Sequence, residues 1–280
     1  MKPTVHEKRA AFKALHAQGC FVIPNPWDAG SARLLEGLGF KAIATTSSGH
    51  AWSQARADGT SPRDVVLDHL RAMVEATDLP VNADFESGYA ADAQGVADSV
   101  RLALETGVAG VSIEDSTGDP QRPLRDIDDA VARLRAARTA IDEAGGDAVL
   151  VGRAENFFVG RPDLDDTIAR LEAYADAGAD CLYAPGIRTR EEILAVVQAV
   201  APKPVNLLIG AASDFTVHDV AAMGVRRISV GGALARAAWG AFLRAARTMA
   251  QDGRFDGLAG AASGQELNAL FAARGRTDGT

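Results

Sequence analysis

The stretch Thr106-Gly107-Val108-Ala109-Gly110-Val111-Ser112-Ile113-Glu114-Asp115 holds a helix end, a strand and a charged strand terminus within ten residues. Gly107 closes a run of helical spacing, and glycine takes the left-handed C-cap conformation without steric cost. The apolar run Gly110–Glu114 then stops in charge. The same helix-to-strand junction recurs at Leu38-Gly39-Phe40, Ala177-Gly178-Ala179 and Met223-Gly224-Val225. A junction repeated this way argues for one strand–helix unit copied along the chain.

Working outward, eight short apolar runs are predicted as buried strands: Phe21–Asn25, Ala42–Thr46, Val81–Phe85, Gly110–Glu114, Ala148–Arg153, Cys181–Pro185, Pro204–Ile209 and Arg227–Gly231. Helical spacing fills most of the gaps between them. Ser61-Pro62-Arg63-Asp64 predicts a cap residue before a proline at the first helical position, and Thr189-Arg190-Glu191-Glu192 predicts a capping box. Apolar strands alternating with helices imply a parallel sheet covered on both faces. Eight such units in about 230 residues predict an α/β fold of the (β/α)8 TIM-barrel kind. The rival, an open doubly wound sheet, lacks a glycine-rich fingerprint after its first strand. Two helical stretches follow Gly231, at 233–251 and at Gly264–Ala273. The chain is therefore divided into a barrel, residues 1–255, and a C-terminal helical extension, residues 256–280, which caps the barrel or packs on a second subunit.

Composition narrows the function classes. Of 280 residues 47% are apolar, enough for a large core. Lys and Arg number 29 against 37 Asp and Glu, and the formal charge of −8 argues against a nucleic-acid surface. No apolar stretch approaches the ~20 residues of a membrane span, and the N-terminus lacks the apolar region of a signal peptide. Cys20 and Cys181 each open an apolar run and read as buried thiols in a reducing compartment. A cytoplasmic protein is expected.

In a barrel, function gathers at the C-terminal strand ends. Those ends carry Asn25, Thr45 to Gly49, Asp84 with Glu86, Glu114 with Asp115, Arg153 with Glu155, Tyr183, Asn206 and Gly231-Gly232. Asp84 and Glu86 are two apart and project from one face of a strand. Two carboxylates ~4 Å apart repel by about 4 kcal/mol at an effective dielectric near 20. A cation or a proton must relieve that, unless the acids pair with arginines or cap helices. Oxygen ligands without a His or Cys pair point to Mg²⁺, with Mn²⁺ as the alternative. The hydroxyls and N–H groups of Thr45 to Gly49 suit a carboxylate or phosphate, or form a plain turn. Arg153 either grips a substrate carboxylate or neutralises Glu114 or Glu155. Of the five histidines only His50 falls near this rim.

The series Gly39–Gly49, Asp58, Asn82-Ala-Asp84-Phe-Glu86-Ser-Gly88-Tyr89, Ser112-Ile-Glu114-Asp115 and Gly152-Arg153-Ala-Glu155 resembles the isocitrate lyase/phosphoenolpyruvate mutase superfamily. The order and spacing match from Phe12 to Met249. The resemblance implies a barrel whose terminal helix is exchanged between subunits of a homodimer or homotetramer. It implies Mg²⁺ bound directly at Asp84, with Asp58, Glu86 and Glu114 holding metal waters. Thr46, Ser47 and Ser48 take the segment that binds the carboxylate of a 2-oxo acid, Arg153 grips that carboxylate, and Asn206 lies on the substrate side. Arg153, Glu114, Asp58 and Thr117 are the implied catalytic set. Asp58 gains its role from the resemblance alone.

Departures bear on the reaction. Isocitrate and methylisocitrate lyases carry a Lys-Lys-Cys-Gly-His loop after strand four, where this chain has Glu114-Asp-Ser-Thr-Gly-Asp-Pro-Gln-Arg-Pro-Leu124. The lysine of the mutase gating loop is also missing, although Ser116 and Thr117 lie near the right place. An oxaloacetate decarboxylase branch has a histidine after strand eight, where Gly231-Gly232-Ala233 stands here. The expectation is a Mg²⁺-dependent lyase that cleaves a C–C bond or decarboxylates a small 2-oxo or 2-hydroxy acid through a metal-stabilised enolate. The alternatives are a phosphonate C–P isomerase or hydrolase and a non-catalytic 2-oxo acid binder. For the acid/base, Asp115, Ser116, Thr117, Tyr183 and Glu155 all stand open.

Overall fold

A computed structural model describes residues 2–272. The last residue of the expected terminal helix, Ala273, and the rest of the extension to 280 lie outside the described residues. Eight strands alternate with helices: α1 (Val5–Leu15), β1 (Phe21–Ile23), α2 (Ala29–Gly37), β2 (Ile43–Ala44), α3 (Ser47–Ser53), α4 (Arg63–Ala76), β3 (Val81–Asp84), α5 (Ala93–Glu105), β4 (Gly110–Glu114) and α6 (Ile127–Glu143). Then come β5 (Val149–Arg153), α7 (Leu164–Asp176), β6 (Cys181–Tyr183), α8 (Arg190–Ala199), β7 (Val205–Leu208), α9 (Val217–Ala222), β8 (Arg227–Ser229), α10 (Ala233–Asp252) and α11 (Gly264–Ala272).

All pairs are parallel, and the order β1-β8-β7-β6-β5-β4-β3-β2 is that of a (β/α)8 barrel. The seam between β1 and β2 is bridged just past β1, where the amide of Ala44 in β2 donates to the Pro24 carbonyl at 3.1 Å. The four repeated glycines Gly39, Gly107, Gly178 and Gly224 have φ of +86°, +90°, +101° and +87°. Each follows its helix in the left-handed region, as the sequence predicts.

Most of the core lies between strands and helices, where Leu70, Met73, Val100, Leu134 and Ile141 pack on the sheet's outer face. The barrel interior is built differently. Phe12, with 0% exposure, belongs to the inner cluster with Ile23, Val149 and Val151. Its ring passes so close to Gly110 that a Cβ there would sit 2.8 Å away. Higher up, the interior is polar: Asn82, Ser112, Asn206, Arg227 and Ser229 are all buried.

One start signal is corrected. The α4 helix begins at Arg63 with Pro62 at its cap position and no side-chain cap. The Ser61 hydroxyl is buried without a hydrogen-bond partner, because the helix starts one residue later than a Ser61 cap would place it. The capping box of Thr189 and Glu192 forms as expected. Thr45 to Gly49 is more than a turn, since Thr46 caps α3 through its hydroxyl. Both cysteines are free, Cys181 buried and Cys20 half-buried. Among the described residues no helix is long and apolar enough to cross a membrane.

Candidate active site

A cavity of about 520 Å³ opens at the C-terminal ends of the strands. The acids and the arginine of the strand ends meet at one side of it. Arg153, the last residue of β5, puts Nη1 3.2 Å from Asp84 Oδ1 and 3.1 Å from Glu114 Oε2, and its Nε donates to Glu155. Strand register brings this about: Glu114 and Arg153 are Cα partners across β4 and β5, and Asp84 pairs with Ser112 across β3 and β4. Arg153 stacks over the Tyr183 ring at 5.1 Å, so one face of the guanidinium is covered.

Asp84 is held from two directions. Its Oδ2 accepts from the Ser47 amide at 2.9 Å, and its own amide donates to Thr45 Oγ1 at 2.9 Å. The loop after β2 is thereby fastened to the end of β3. Thr46, Ser47 and Ser48 all line the cavity, with Thr46 Oγ1 and Ser48 Oγ 3.1 Å apart. Asp58 lines it as well, reached from the loop between α3 and α4. Glu86 sits just past β3 with φ +46° and accepts from the Tyr89 hydroxyl at 2.8 Å.

Burial dominates the electrostatics of these acids. It raises the proton affinity of Asp58, and the Asp84 charge adds to that. It pushes Glu86 up to about 7, against the pull of the Tyr89 hydrogen bond. It pushes Glu155 to about 6 and raises Glu114 well above the usual carboxylate range, with Arg153 opposing both. Five carboxylates share one guanidinium here, so the group carries more negative charge than it can hold when fully ionised.

Four of the expected residues do not line the cavity: Glu86 and Glu114, which stand beside Asp84 and Arg153, and Thr117 and Asn206, which stand apart from that cluster. Thr117 bonds within its own loop, its hydroxyl donating to the Arg122 carbonyl and its amide to that of Pro123. A bridge between Ser116 and Leu124 closes that loop, and none of its residues lines the cavity. Asn206 is fully buried beneath the floor, with Oδ1 accepting from Arg227 Nε at 2.8 Å and Nδ2 donating to Ser229 Oγ at 2.9 Å. Asp115 is a post rather than a cavity residue. Its carboxylate takes Arg170 Nη1 at 3.0 Å, the Tyr174 hydroxyl at 2.6 Å and the Glu155 amide at 2.8 Å. It therefore sets the chain that carries Glu155 and, through it, Arg153.

Sequence reasoning missed the polar floor. Arg227 and Ser229 sit two apart in a run otherwise read as apolar, and that alternation was the available signal. The role of Asn25 was also unassigned: its Oδ1 accepts from the Val230 and Gly231 amides, and its Nδ2 donates to the Thr45 carbonyl. It ties the rims of β1, β2 and β8 together.

Among the described residues no three His, Cys, Asp or Glu side chains form a cage for a metal. A cage is not what Mg²⁺ requires, since it keeps several waters and binds through one or two carboxylates. Asp84 can supply one such bond, because a carboxylate has about four acceptor sites and two are taken here. Asp58, Glu86 and Glu114 are placed for water-mediated contacts. The donor set fits the ion.

Comparison with known proteins finds relatives in sequence and fold. Residues 12–250 match the family model described as phosphoenolpyruvate phosphomutase. The crystal structure of a putative lyase/mutase from Burkholderia cenocepacia J2315 is 50% identical, with a TM-score of 0.93 over 96% of this chain and 97% of that one. An oxaloacetate decarboxylase of Paraburkholderia xenovorans (strain LB400) is 30% identical over 81% of this chain and 75% of its own. A phosphonopyruvate hydrolase, solved with oxalate and Mg²⁺, is 26% identical with a TM-score of 0.84 over 97% of each chain.

Proposed function

The chain belongs to the phosphoenolpyruvate mutase family, within the isocitrate lyase/phosphoenolpyruvate mutase superfamily, and from that premise we propose that it is a Mg²⁺-dependent carbon–carbon lyase. Its substrate is a small 2-oxo or 2-hydroxy acid, cleaved or decarboxylated beside the keto group. The observation that carries this reading is the excess of carboxylate over guanidinium at Asp58, Asp84, Glu86, Glu114 and Arg153, facing a loop of hydroxyls and amides. An acid cluster of that kind calls for a cation, and the loop beside it for an anion.

Asp84 would hold the metal directly, and Asp58, Glu86 and Glu114 through water. The ion supplies Lewis-acid stabilisation of charge developing on the keto oxygen. The Ser47 and Ser48 segment and Arg153 receive and orient the substrate carboxylate. Glu155, anchored by Asp115, keeps Arg153 aimed at the cavity. The relatives solved or named with oxalate, Mg²⁺ and oxaloacetate support the ligand class. A homodimer or homotetramer completes the proposal, supported by the exposed apolar residues Trp239, Phe242 and Leu243 of α10.

The test is release of pyruvate or glyoxylate from a panel of such acids with Mg²⁺. Asp84→Ala is expected to lower turnover by about 100-fold or more, as loss of transition-state charge stabilisation does. No release from any acid, with Asp84→Ala indistinguishable from wild type, would sink the lyase reading. Phosphonate chemistry is the second reading, favoured by the hydrolase likeness. Phosphorus NMR with phosphonopyruvate separates the two. Tight oxalate binding without any turnover would instead mark a binding protein.

A further inference from the structure

Strand β7 brings a different chemistry to the cavity. Asp84, Arg153, Tyr183 and Ser229 supply polar groups from the ends of β3, β5, β6 and β8. The end of β7 supplies Leu208, and the chain runs on through Ile209 to Gly210-Ala211-Ala212, all of which line the cavity too. Leu208 and Ile209 are only half-buried. Ile187 and Phe215, from the loops after β6 and β7, continue this apolar wall, and Ile209 and Phe215 pack against the core cluster that holds Ile187. Phe158, from the loop after β5, lines the cavity while 56% exposed.

The wall adjoins the loop of hydroxyls and amides. Gly231 has φ +52°, and a Cβ there would lie 3.2 Å from Leu208 Cδ1. A Cβ on Gly232 would lie 2.8 Å from Ser48 Oγ and 3.2 Å from the Trp52 ring. Leu208 and Ser48 thus flank one glycine pair, and a side chain at either glycine would crowd the passage between them. Size points the same way. A cavity of about 520 Å³ falls within the range of pockets that enclose drug-sized ligands, so a three- or four-carbon acid leaves much of it unfilled. Apolar surface left in water favours an apolar group over a polar one at that place. Arg188 and Arg236 also line the cavity, but both are exposed, where a charge contributes little. They do not specify a second anionic group.

We infer that the substrate's C3 carries an alkyl chain longer than a methyl group, seated against Leu208, Ile209 and Phe215. The inference rests on the lyase reading above and narrows its substrate class. The substrate carboxylate lies toward Ser47 and Ser48, and C3 faces the end of β7. Leu208, Ile209 and Phe215 are specificity-determining residues: they touch the chain and take no part in breaking the bond. Each methylene buried there strengthens binding about three- to fivefold. A polar substituent at C3 would face the same side chains without a hydrogen-bond partner, which disfavours it.

The experiment needs no knowledge of the natural substrate. The full-length protein with Mg²⁺ is titrated by calorimetry with pyruvate, 2-oxobutanoate, 2-oxopentanoate and 2-oxohexanoate, and with oxalate as the ligand that has no chain. Affinity is expected to rise about three- to fivefold with each added methylene. The heat capacity of binding should become more negative along the series, the mark of apolar burial. Phe215→Ala and Ile209→Ala are each expected to flatten the rise and to leave oxalate affinity unchanged. Wild type that binds oxalate but shows no rise along the series overturns the inference, and that result requires no variant to fold. A rise that both variants keep in full overturns it too, since the chain then lies elsewhere. If wild type with Mg²⁺ binds no oxalate at all, the lyase reading itself has failed and takes this inference with it.

Discussion

Glu86 and Tyr89 hold φ of +46° and +52°, a region that side chains other than glycine rarely adopt. Such strain costs of order 1–3 kcal/mol per residue and persists where the surroundings over-determine it. Here it turns the chain sharply after Asp84 and brings the Tyr89 hydroxyl back to Glu86 at 2.8 Å. The bend thus keeps a second carboxylate beside the first. Glu86→Gln is expected to weaken Mg²⁺ binding by about 10- to 100-fold, the usual effect of losing an outer-shell partner; titration of the metal by calorimetry measures it. Gly110 makes a different demand. A Cβ would lie 2.8 Å from the Phe12 ring and from Asn82 Oδ1, and 2.9 Å from the Val149 carbonyl. Gly110→Ala should therefore destabilise the fold by about 1–3 kcal/mol, as overpacking does, and urea unfolding would show it.

Elements place what residues supply. The rim network depends on β4 and β5 ending in register, Glu114 against Arg153, and on α7 reaching back with Arg170 and Tyr174 to Asp115. Asp115 is 1% exposed and bears three hydrogen bonds that join β4, β5 and α7. Breaking such a buried pair costs about 3–5 kcal/mol. Arg170 keeps Asp166 at 2.7 Å, so the lower end of that range is expected for Asp115→Asn. Because the Glu155 amide loses its anchor, turnover should fall together with melting temperature. A variant as active and as stable as wild type would exclude this linkage. The strands and the glycine-ended helices were legible in the sequence because local periodicity and C-cap chemistry carry them. The partners of Asp115 were not, since they lie 55 and 59 residues away along the chain.

For the whole molecule, buried neutral histidines tie stability to pH. Burial brings His16 and His69 each to about 3, and His69 stacks on His50 at 3.8 Å. Unfolded, a histidine titrates near 6.5. Between 6.5 and 3 the unfolded chain therefore binds protons that the folded one does not. The contribution of each histidine is complete above 6.5 and is lost as pH falls toward 3, by about 1.4 kcal/mol per pH unit. The rim carboxylates, with raised proton affinities, act in the opposite sense. They cancel when two variants are compared. The stability gap between wild type and His69→Gln is expected to shift in favour of the variant as pH is lowered from 7 to 5. A gap independent of pH would show that His69 titrates alike in both states.

Periodicity, repeated glycine junctions and charged strand ends determined the barrel and the rim, because each is written in residues close together along the chain. Asp84, Glu86, Glu114 and Arg153 could be read as a cluster once eight strand ends were known to converge. The floor was decided only in three dimensions. Arg227 and Asn206 belong to strands that parallel pairing brings side by side, and His16 comes from the opposite end of the chain. Tyr183 lies one further strand along the same row. No local pattern encodes which way a hydrogen bond runs. That follows from a guanidinium, which can only donate, being buried against a particular amide, and burial is a property of the packed barrel alone.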